Sequence, residues 1–480
     1  MHFPPSLSRS AVALAILLGS ACGNAQPDFL AGAKPIVAAP PDPAIARALE
    51  TIQPANIEQT IQALVGFGTR NTLSSMETDL PAGQGINAAA DWISAQFERI
   101  AQQCGGCLEV HRDTFTEPAA GRIPQPTTIT NIYAIVRGAD PSQAKRMVLV
   151  TGHYDSRISD VMDARGAAPG ANDDASGVAV SLECARALSK LHLPSTVVFV
   201  AVAGEEQGLN GSTHLAKLAR KEGWQLEAVL NNDIVGGNTT PGDTLQLKDR
   251  VRVFSEGVPT AATPDQGRRI RALGQESDSP SRELARAIAD TARTYFSSGS
   301  GPAFAPVLVF RPDRYLRGGD HTSFNREGFA AVRFTEWRED FNHQHQNIVI
   351  PPAGSKDPIL GDLIQFVDFN YVASVARLNA ATLATLASSP GQPTNVAIVT
   401  KNLDNGTTLH WDPPAGASSG IHYELLWRET SAPDWQFSQN VAPQADGAQV
   451  TVTVPISKDN VIFAVRAVDQ AGHRGLAVVP

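Results

Sequence analysis

The sequence predicts an α/β domain with a mostly parallel central sheet flanked by helices, followed by a small all-β sandwich. Three observations carry this prediction. Between the Pro-rich stretches Ala38 to Ala46 and Ala387 to Asn395, short apolar runs alternate with stretches of helical period, the pattern of strands and helices built around one buried sheet. From Gln392 onward the period falls to two, and loops rich in Gly, Pro, Asp and Asn separate the runs. The two textures meet at "ASSPGQPTN" (Ala387 to Asn395), a Pro/Gly/Ser break after a long helical stretch.

The N-terminus reads as an export signal. His2 and Arg9 precede "AVALAILL" (Ala11 to Leu18), and the small residues Gly19, Ser20 and Ala21 follow. Eight apolar residues are too few to span a bilayer, so residues 1–25 are assigned to a signal peptide rather than an anchor. Cys22 after "GSA" resembles a bacterial lipoprotein cleavage site, and cleavage after Ala25 in "GNA" is the alternative. The expected location is therefore periplasmic, extracellular or lipid-anchored at the outer membrane of a bacterium. Residues 26–46, with "AAPPDPAIA" (Ala38 to Ala46), read as a Pro/Ala-rich spacer. The α/β domain is assigned to 47–388 and the sandwich to 392–480.

Within the α/β domain, strands are expected at "TITNIYAIV", "RMVLVTG", "TVVFVAVAG", "EAVLNND", "APVLVF" and "FAAVRFTE". These are continuous apolar runs, as strands buried on both faces require. Helices are expected over Ala175 to Leu191 and Gly211 to Gly223. Thr239 to Ser281 is charged, rich in Gly and Pro and without a convincing period, so it reads as an insertion or long loop near the site.

Composition narrows the function. The chain carries 39 Lys and Arg against 48 Asp and Glu, a net −9, and shows no basic stripe, which excludes a general nucleic-acid binder. Cys104 and Cys107 form "CGGC" without a second CxxC or a thioredoxin-like setting, so a local disulfide is expected. Cys184 sits in a helical pattern and reads as buried and inert.

The chemistry gathers at the strand ends, where ligands bind in open α/β sheets. "GHYDS" supplies His153 and Asp155, "GEEQG" supplies Glu205 and Glu206, and "NND" supplies Asp233. "ANDDASG" places Asp173 and Asp174 at the start of a helix, and "REDFNHQHQN" offers His343 and His345. Singly, each has a structural explanation: a hydrogen-bonded histidine, a helix cap at Asp173 or Asp174, a solvated turn at Glu205. Together they crowd one sheet edge with carboxylates, which is unfavourable without cations. Two histidines and three carboxylates, with no thiolate, suit two zinc ions sharing one bridge. One glutamate of the adjacent pair then stays free for acid/base work, the two side chains projecting differently from extended chain.

"GHYDS", "PGANDDASG", "GEEQGLNGS" and "NNDIVGG", in this order and spacing, resemble the co-catalytic di-zinc aminopeptidases, the secreted leucyl aminopeptidase-like metallopeptidases. The resemblance implies two zinc ions per chain, a water nucleophile and removal of N-terminal residues from peptide substrates. It implies His153, Asp173, Glu206, Asp233 and His345 as metal ligands, with Asp173 bridging and the Asp173–Asp174 peptide strained. Glu205 would be the general base, and Asp155 would orient His153. His345 is preferred to His343 from its "HQN" context. "GGDHTSFNREGFAAVRF" is similar to a family segment that puts Asp320 and His321 near the substrate pocket. The tail, with Trp411 in "LHWDPP" and Tyr423 in "IHYELLWR", resembles a fibronectin type III domain of seven strands, either passive or contacting a surface or polymer.

Three alternatives stand beside this reading. A carboxypeptidase or acidic-peptide hydrolase on the same scaffold would use an arginine cluster, which Arg311, Arg314 and Arg317 offer. A glutaminyl cyclase would use a single zinc, against which His153 argues. A non-catalytic surface-binding protein would leave the ligand set and Glu205 without purpose.

Overall fold

The computed structural model describes residues 27–480 except 31, 297–302, 402 and 417–419. The signal peptide and Cys22 lie outside the described residues. Among those described, no helix is long and apolar enough to cross a membrane.

After a 3-10 turn at Asp28–Leu30, the described residues begin with a two-residue strand, β1 (Lys34–Pro35), and three helices, α1 (Pro43–Glu50), α2 (Pro54–Val65) and α3 (Ile86–Gln103). The hairpin of β2 (Glu109–Glu117) and β3 (Thr127–Val136) leads to β4 (Arg146–His153), α4 (Ala175–Leu188) and β5 (Thr196–Val202). A one-turn helix α5 (Glu205–Gly208) runs into α6 (Asn210–Glu222) and β6 (Gln225–Asn232). Next come β7 (Arg250–Ser255), α7 (Pro264–Ala272), α8 (Pro280–Phe296) and β8 (Ala305–Val309). The domain closes with α9 (His321–Arg326), β9 (Ala331–Glu336) and α10 (Phe369–Ser388).

Eight strands form one sheet in the order β2-β3-β5-β4-β6-β9-β7-β8. Its centre, β5-β4-β6-β9, is parallel, whereas β2 with β3, β3 with β5 and β7 with β9 pair antiparallel. Every residue of β4 and β5 is buried. Successive residues point to opposite faces, so both faces need apolar cover. Val148, Val150 and Phe199 pack with Val178 and Leu182 of α4 and Leu378 and Leu383 of α10. Leu149, Val198 and Val200 pack with Leu215 and Ala219 of α6 and Phe324 of α9. The chain leaves β4 for β5 on one side and then returns to β6 on the other. The carboxyl end of β4 is therefore a topological switch point, where a crevice opens.

Two strands depart from the expectation. β7 and α7 lie within Thr239 to Ser281, which was read as an insertion or long loop without regular elements of its own. Arg250 and Arg252 alternate with the buried Val251 and Val253 and so mask the apolar run, while Thr263 and Gln266 form a capping box at α7. β2, an edge strand of polar alternation, was likewise not foreseen.

The tail contributes β10 (Thr394–Ile398), β11 (Thr407–Asp412), β12 (His422–Glu429), β13 (Phe437–Val441), β14 (Val450–Val454) and β15 (Val461–Val468). A four-stranded sheet, β1-β13-β12-β15, faces a three-stranded one, β10-β11-β14, around Trp411, Tyr423 and Trp427. Among the described residues the tail supplies six strands, and a seventh, β1, comes from the segment expected to be a spacer. That segment is not free. Phe29 and Ala33 pack on the sandwich core, and Trp427 Nε1 donates to the Phe29 carbonyl at 2.9 Å.

The sandwich is also tied to the α/β domain by polar contacts. Arg428 lies 2.6 Å from Asp278 and Arg466 lies 2.7 Å from Asp290, while Trp435 Nε1 donates to Glu283 at 2.8 Å. At the far edge Cys104 and Cys107 are joined by a disulfide, and Cys184 is a buried free thiol on α4.

Candidate metal centre

His153 ends β4, and its ring is oriented from behind. Nδ1 lies 3.1 Å from the Asp155 carbonyl and 3.3 Å from Asp155 Oδ1. Facing two acceptors, Nδ1 carries the proton, which leaves the Nε2 lone pair directed away from Asp155. Asp155 is itself fixed on three sides: it accepts from Thr72 Oγ1 at 3.0 Å and from the amides of Glu205 at 3.3 Å and Glu206 at 3.1 Å. One carboxylate thus links the end of β4 to the first turn of α5.

The adjacent aspartates have separate jobs. Asp174 caps α4, accepting from Gly177 N at 2.9 Å and, with its other oxygen, from His153 N at 3.0 Å. Asp173 joins it through a cis peptide and turns the other way. Its amide donates to Asp362 at 2.7 Å, and the Asn172 amide donates to the same carboxylate at 2.8 Å. Asp173 Oδ1 comes within 3.1 Å of His153 Nε2, and its Oδ2 within 2.9 Å of His345 Nε2.

Glu205 and Glu206 are not extended chain, as their divergent directions suggested. Gly204 turns left-handed at φ +79° after β5, and both glutamates lie in the first turn of α5. Glu206 Oε1 sits 2.9 Å from His345 Nε2. Asp233, just past β6, places Oδ1 4.0 Å from His153 Nε2 and 2.7 Å from Arg333 Nη2. His345 reaches this cluster from a loop residue at φ +55°. His343 does not. Its ring stacks on Phe366 at 3.6 Å between centroids, with Nδ1 3.3 Å from Asn238 Oδ1.

Two donor sets result, His153/Asp173/Asp233 and Asp173/Glu206/His345, each with its ligand atoms within 4.8 Å of one another. Asp173 belongs to both. His153 Nε2, His345 Nε2 and Glu206 Oε1 are buried, and although they lie close to Asp173 or to one another, none of the three makes a well-aligned hydrogen bond among the described residues. Buried polar atoms in that condition are costly unless a further group completes them. Convergent imidazole nitrogens and carboxylates, without thiolates, fit zinc.

Burial raises Glu205 well above the ordinary carboxylate range. His153 opposes the shift, while Asp233 and Glu206 add to it. Burial pulls His345 down, but Glu206 and Asp173 overcome it and lift the ring to about 10. Glu205 thus owes its shift first to burial and then to its acidic neighbours, whereas His345 owes its own to the attraction of Glu206 and Asp173 for a cation.

The cluster floors a cleft of about 380 Å³, with Glu205 on its wall beside Arg122, Arg157, Arg314 and Arg317. Arg311 lies outside it, its guanidinium over the Tyr315 ring. Asp320 and His321, expected at a substrate pocket, are fully buried and do not line the cleft. Burial lifts Asp320 to about 7, and His321 Nε2 lies 2.7 Å from the Pro312 carbonyl. Thr72, Arg333 and Asp362 escaped the sequence reading because nothing local marks them: each meets its partner only through the fold. Gln344, which donates to Asp173 Oδ2 at 3.2 Å, stands next to His345 and was within reach.

Residues 131–349 match the model of peptidase family M28. A probable zinc metalloprotease of Leptosphaeria maculans is 42% identical, over 92% of this chain and 97% of that protein. One of Pyricularia oryzae is 44% identical, over 92% of this chain and 85% of the relative. Among solved structures, the aminopeptidase LapA of Legionella pneumophila aligns over 72% of this chain and 73% of its own, at 20% identity and a TM-score of 0.47. On the strength of the two fungal relatives and the family match, the protein belongs to peptidase family M28 and is a zinc metallopeptidase.

Proposed function

We propose that the protein is an exported aminopeptidase that uses two zinc ions and Glu205 to hydrolyse N-terminal residues from peptides. The observation that carries this reading is the division of Asp173, one oxygen toward His153 and the other toward His345, with Glu205 left on the cleft wall outside both donor sets. His153, Asp173 and Asp233 would hold one ion, and Asp173, Glu206 and His345 the other. Zinc there supplies Lewis acidity toward the scissile carbonyl and makes water a better nucleophile at neutral pH. Glu205 takes the proton of the attacking water on its carboxylate and delivers it to the departing amine. Asp155 keeps His153 in the tautomer that presents Nε2. No serine or cysteine nucleophile is involved; Cys184 is buried in α4 and Cys104 is paired with Cys107.

Export is supported by the signal-like residues 1–25 and by the Cys104–Cys107 disulfide, which suits an oxidising compartment. The relatives named above are fungal, which gives no support to a bacterial periplasm or a lipid anchor at Cys22. An extracellular location is therefore the one proposed. The assignment of 47–388 to the peptidase and 392–480 to an accessory sandwich of fibronectin type III character belongs to the same proposal.

The test is hydrolysis of aminoacyl-nitroanilides by the zinc-loaded protein, each with its amine free and acetylated. Cleavage of the free-amine form only, lost in Glu205→Gln, is the expected result. Cleavage of neither form, with zinc bound, moves the assignment to a carboxypeptidase or acidic-peptide hydrolase on the same scaffold, which would draw on the arginines that line the cleft.

A further inference from the structure

Twelve described residues line the cleft over the donor sets, and Leu209 is the only apolar side chain among them. Such a wall gives a leucine-like side chain little surface to bury against. Four of the twelve are arginines, and they fall into two pairs. Arg314 and Arg317 are already occupied: both reach Glu339, at 2.8 and 3.2 Å, and Arg314 also reaches Asp313 at 3.0 Å.

Arg122 and Arg157 have no carboxylate partner among the described residues. Arg122 Nη1 donates to the Glu206 carbonyl at 2.8 Å. Arg157 donates to the carbonyls of Ile158 at 3.0 Å and Ser159 at 3.1 Å. A guanidinium offers five N–H donors in a rigid fork, so much of each fork stays free. The backbone bonds fix where the forks sit without neutralising them. Asp173, Glu206 and Asp233 belong to the donor sets, where two divalent cations would more than offset their charge, with Glu205 beside them on the wall. The charges of Arg122 and Arg157 then remain, in a concave site that strengthens their field.

We infer that Arg122 and Arg157 determine specificity by binding a carboxylate that the substrate carries within one residue of the scissile bond. The cleft is thus built for acidic or very short peptides rather than apolar ones. This rests on the peptidase reading of the site. The carboxylate has three sources: the side chain of the N-terminal residue, the side chain of the next residue, or the C-terminus of a dipeptide.

Four peptides with free amines separate them: Ala-Ala-amide, Glu-Ala-amide, Ala-Glu-amide and Ala-Ala with a free C-terminus. With zinc-loaded protein, at least one carboxylate-bearing peptide is expected to exceed Ala-Ala-amide about tenfold in kcat/KM, the scale of a charge-assisted bidentate contact. Arg122→Gln and Arg157→Gln should each lower that ratio by about threefold or more, whereas Arg311→Gln, outside the cleft, should preserve it. A ratio within about twofold of one for all three carboxylate peptides, or a ratio that survives in both cleft variants, overturns the inference.

Binding gives a second readout. Zinc-loaded Glu205→Gln, titrated calorimetrically with the same four peptides, should hold the preferred carboxylate peptide more tightly than Ala-Ala-amide and lose that margin when Arg157→Gln is added. Equal affinities, or no binding, overturn the inference. If the wild type hydrolyses none of the four while the margin in binding persists, the peptidase reading fails and the carboxylate site stands.

Discussion

Arg333 Nη2 lies 2.7 Å from Asp233 Oδ1, so the carboxylate beyond β6 is held from the neighbouring parallel strand β9. The guanidinium is fully buried. Its Nε donates to Thr335 Oγ1 at 2.8 Å and its Nη1 to the Gly318 carbonyl at 3.0 Å, which leaves Nη2 to aim at Asp233. A lysine keeps the charge but has no fork with which to hold three partners in fixed directions. Arg333→Lys should therefore weaken zinc binding by about 10–100-fold, as losses of such supporting contacts do. Competition against a chromophoric chelator measures this. Unchanged affinity in a variant with native circular dichroism would show that Asp233 does not depend on Arg333.

The shared carboxylate gives a sharper stoichiometric prediction. Because Asp173 Oδ1 faces His153 and Oδ2 faces His345, Asp173→Asn changes both donor sets at once. His345→Ala removes a donor from one set only. Elemental analysis after dialysis should find about two zinc ions per wild-type chain, about one in His345→Ala and fewer than one in Asp173→Asn. One ion retained in Asp173→Asn would mean that the two sets do not share their bridge.

The strand-end residues His153, Glu206 and Asp233, and Asp173 before α4, were legible because each follows an apolar run or precedes the helix beyond one, whereas His345 stands in a polar loop and was reached only through its "HQN" context. The strands β4, β5 and β6 are buried on both faces and so read as continuous apolar segments, and what comes next in sequence comes next at the sheet edge. β2 and β7 escaped because charged residues alternate with their inward-facing ones, and β1 because two residues carry no period at all. The residues alone left the cap to Asp173 or Asp174 and only the family resemblance gave Asp173 the bridge; in three dimensions Asp174 caps α4 and Asp173 faces the histidines. Arg333 and Asp362 act across 100 residues or more of chain, from Arg333 to the Asp233 carbonyl and from Asp362 to the Asp173 amide. No local pattern announces such partners.

Glu205 should leave a signature in the pH profile. Burial, with Asp233 and Glu206 adding to it, pushes its carboxyl well above the ordinary range, and a general base at this position would be competent only when ionised. Activity should consequently rise with pH, kcat/KM following a slope of one through the Glu205 ionisation and then levelling. Glu205→Gln should abolish that limb and lower kcat by about a thousandfold, within the range for general-base catalysis, with zinc content unchanged. An acid limb that persists in Glu205→Gln would assign it to another group.

The last prediction concerns the junction between the two folded parts. His473, in the final turn of the sandwich, lies 2.8 Å through Nδ1 from Asp469 and 3.2 Å through Nε2 from Asp42. Asp42 is also the cap of α1, its other oxygen accepting from Ala44 N at 2.6 Å and Ile45 N at 3.2 Å. One imidazolium therefore links the start of the α/β domain to the end of the chain. The hydrogen bond to Asp469 raises His473 above its ordinary pKa, against the effect of burial and with the help of Asp42. A group raised in the folded state stabilises fully below its unfolded pKa, and the contribution disappears as pH climbs through the folded value. His473→Gln should accordingly cost about 0.5–1.5 kcal/mol in urea unfolding at pH 6, and progressively less as the pH is raised through the folded-state ionisation of the ring. A loss that stays equal as the pH is raised would show that His473 acts through packing and neutral hydrogen bonds, with no charged link between sandwich and α1.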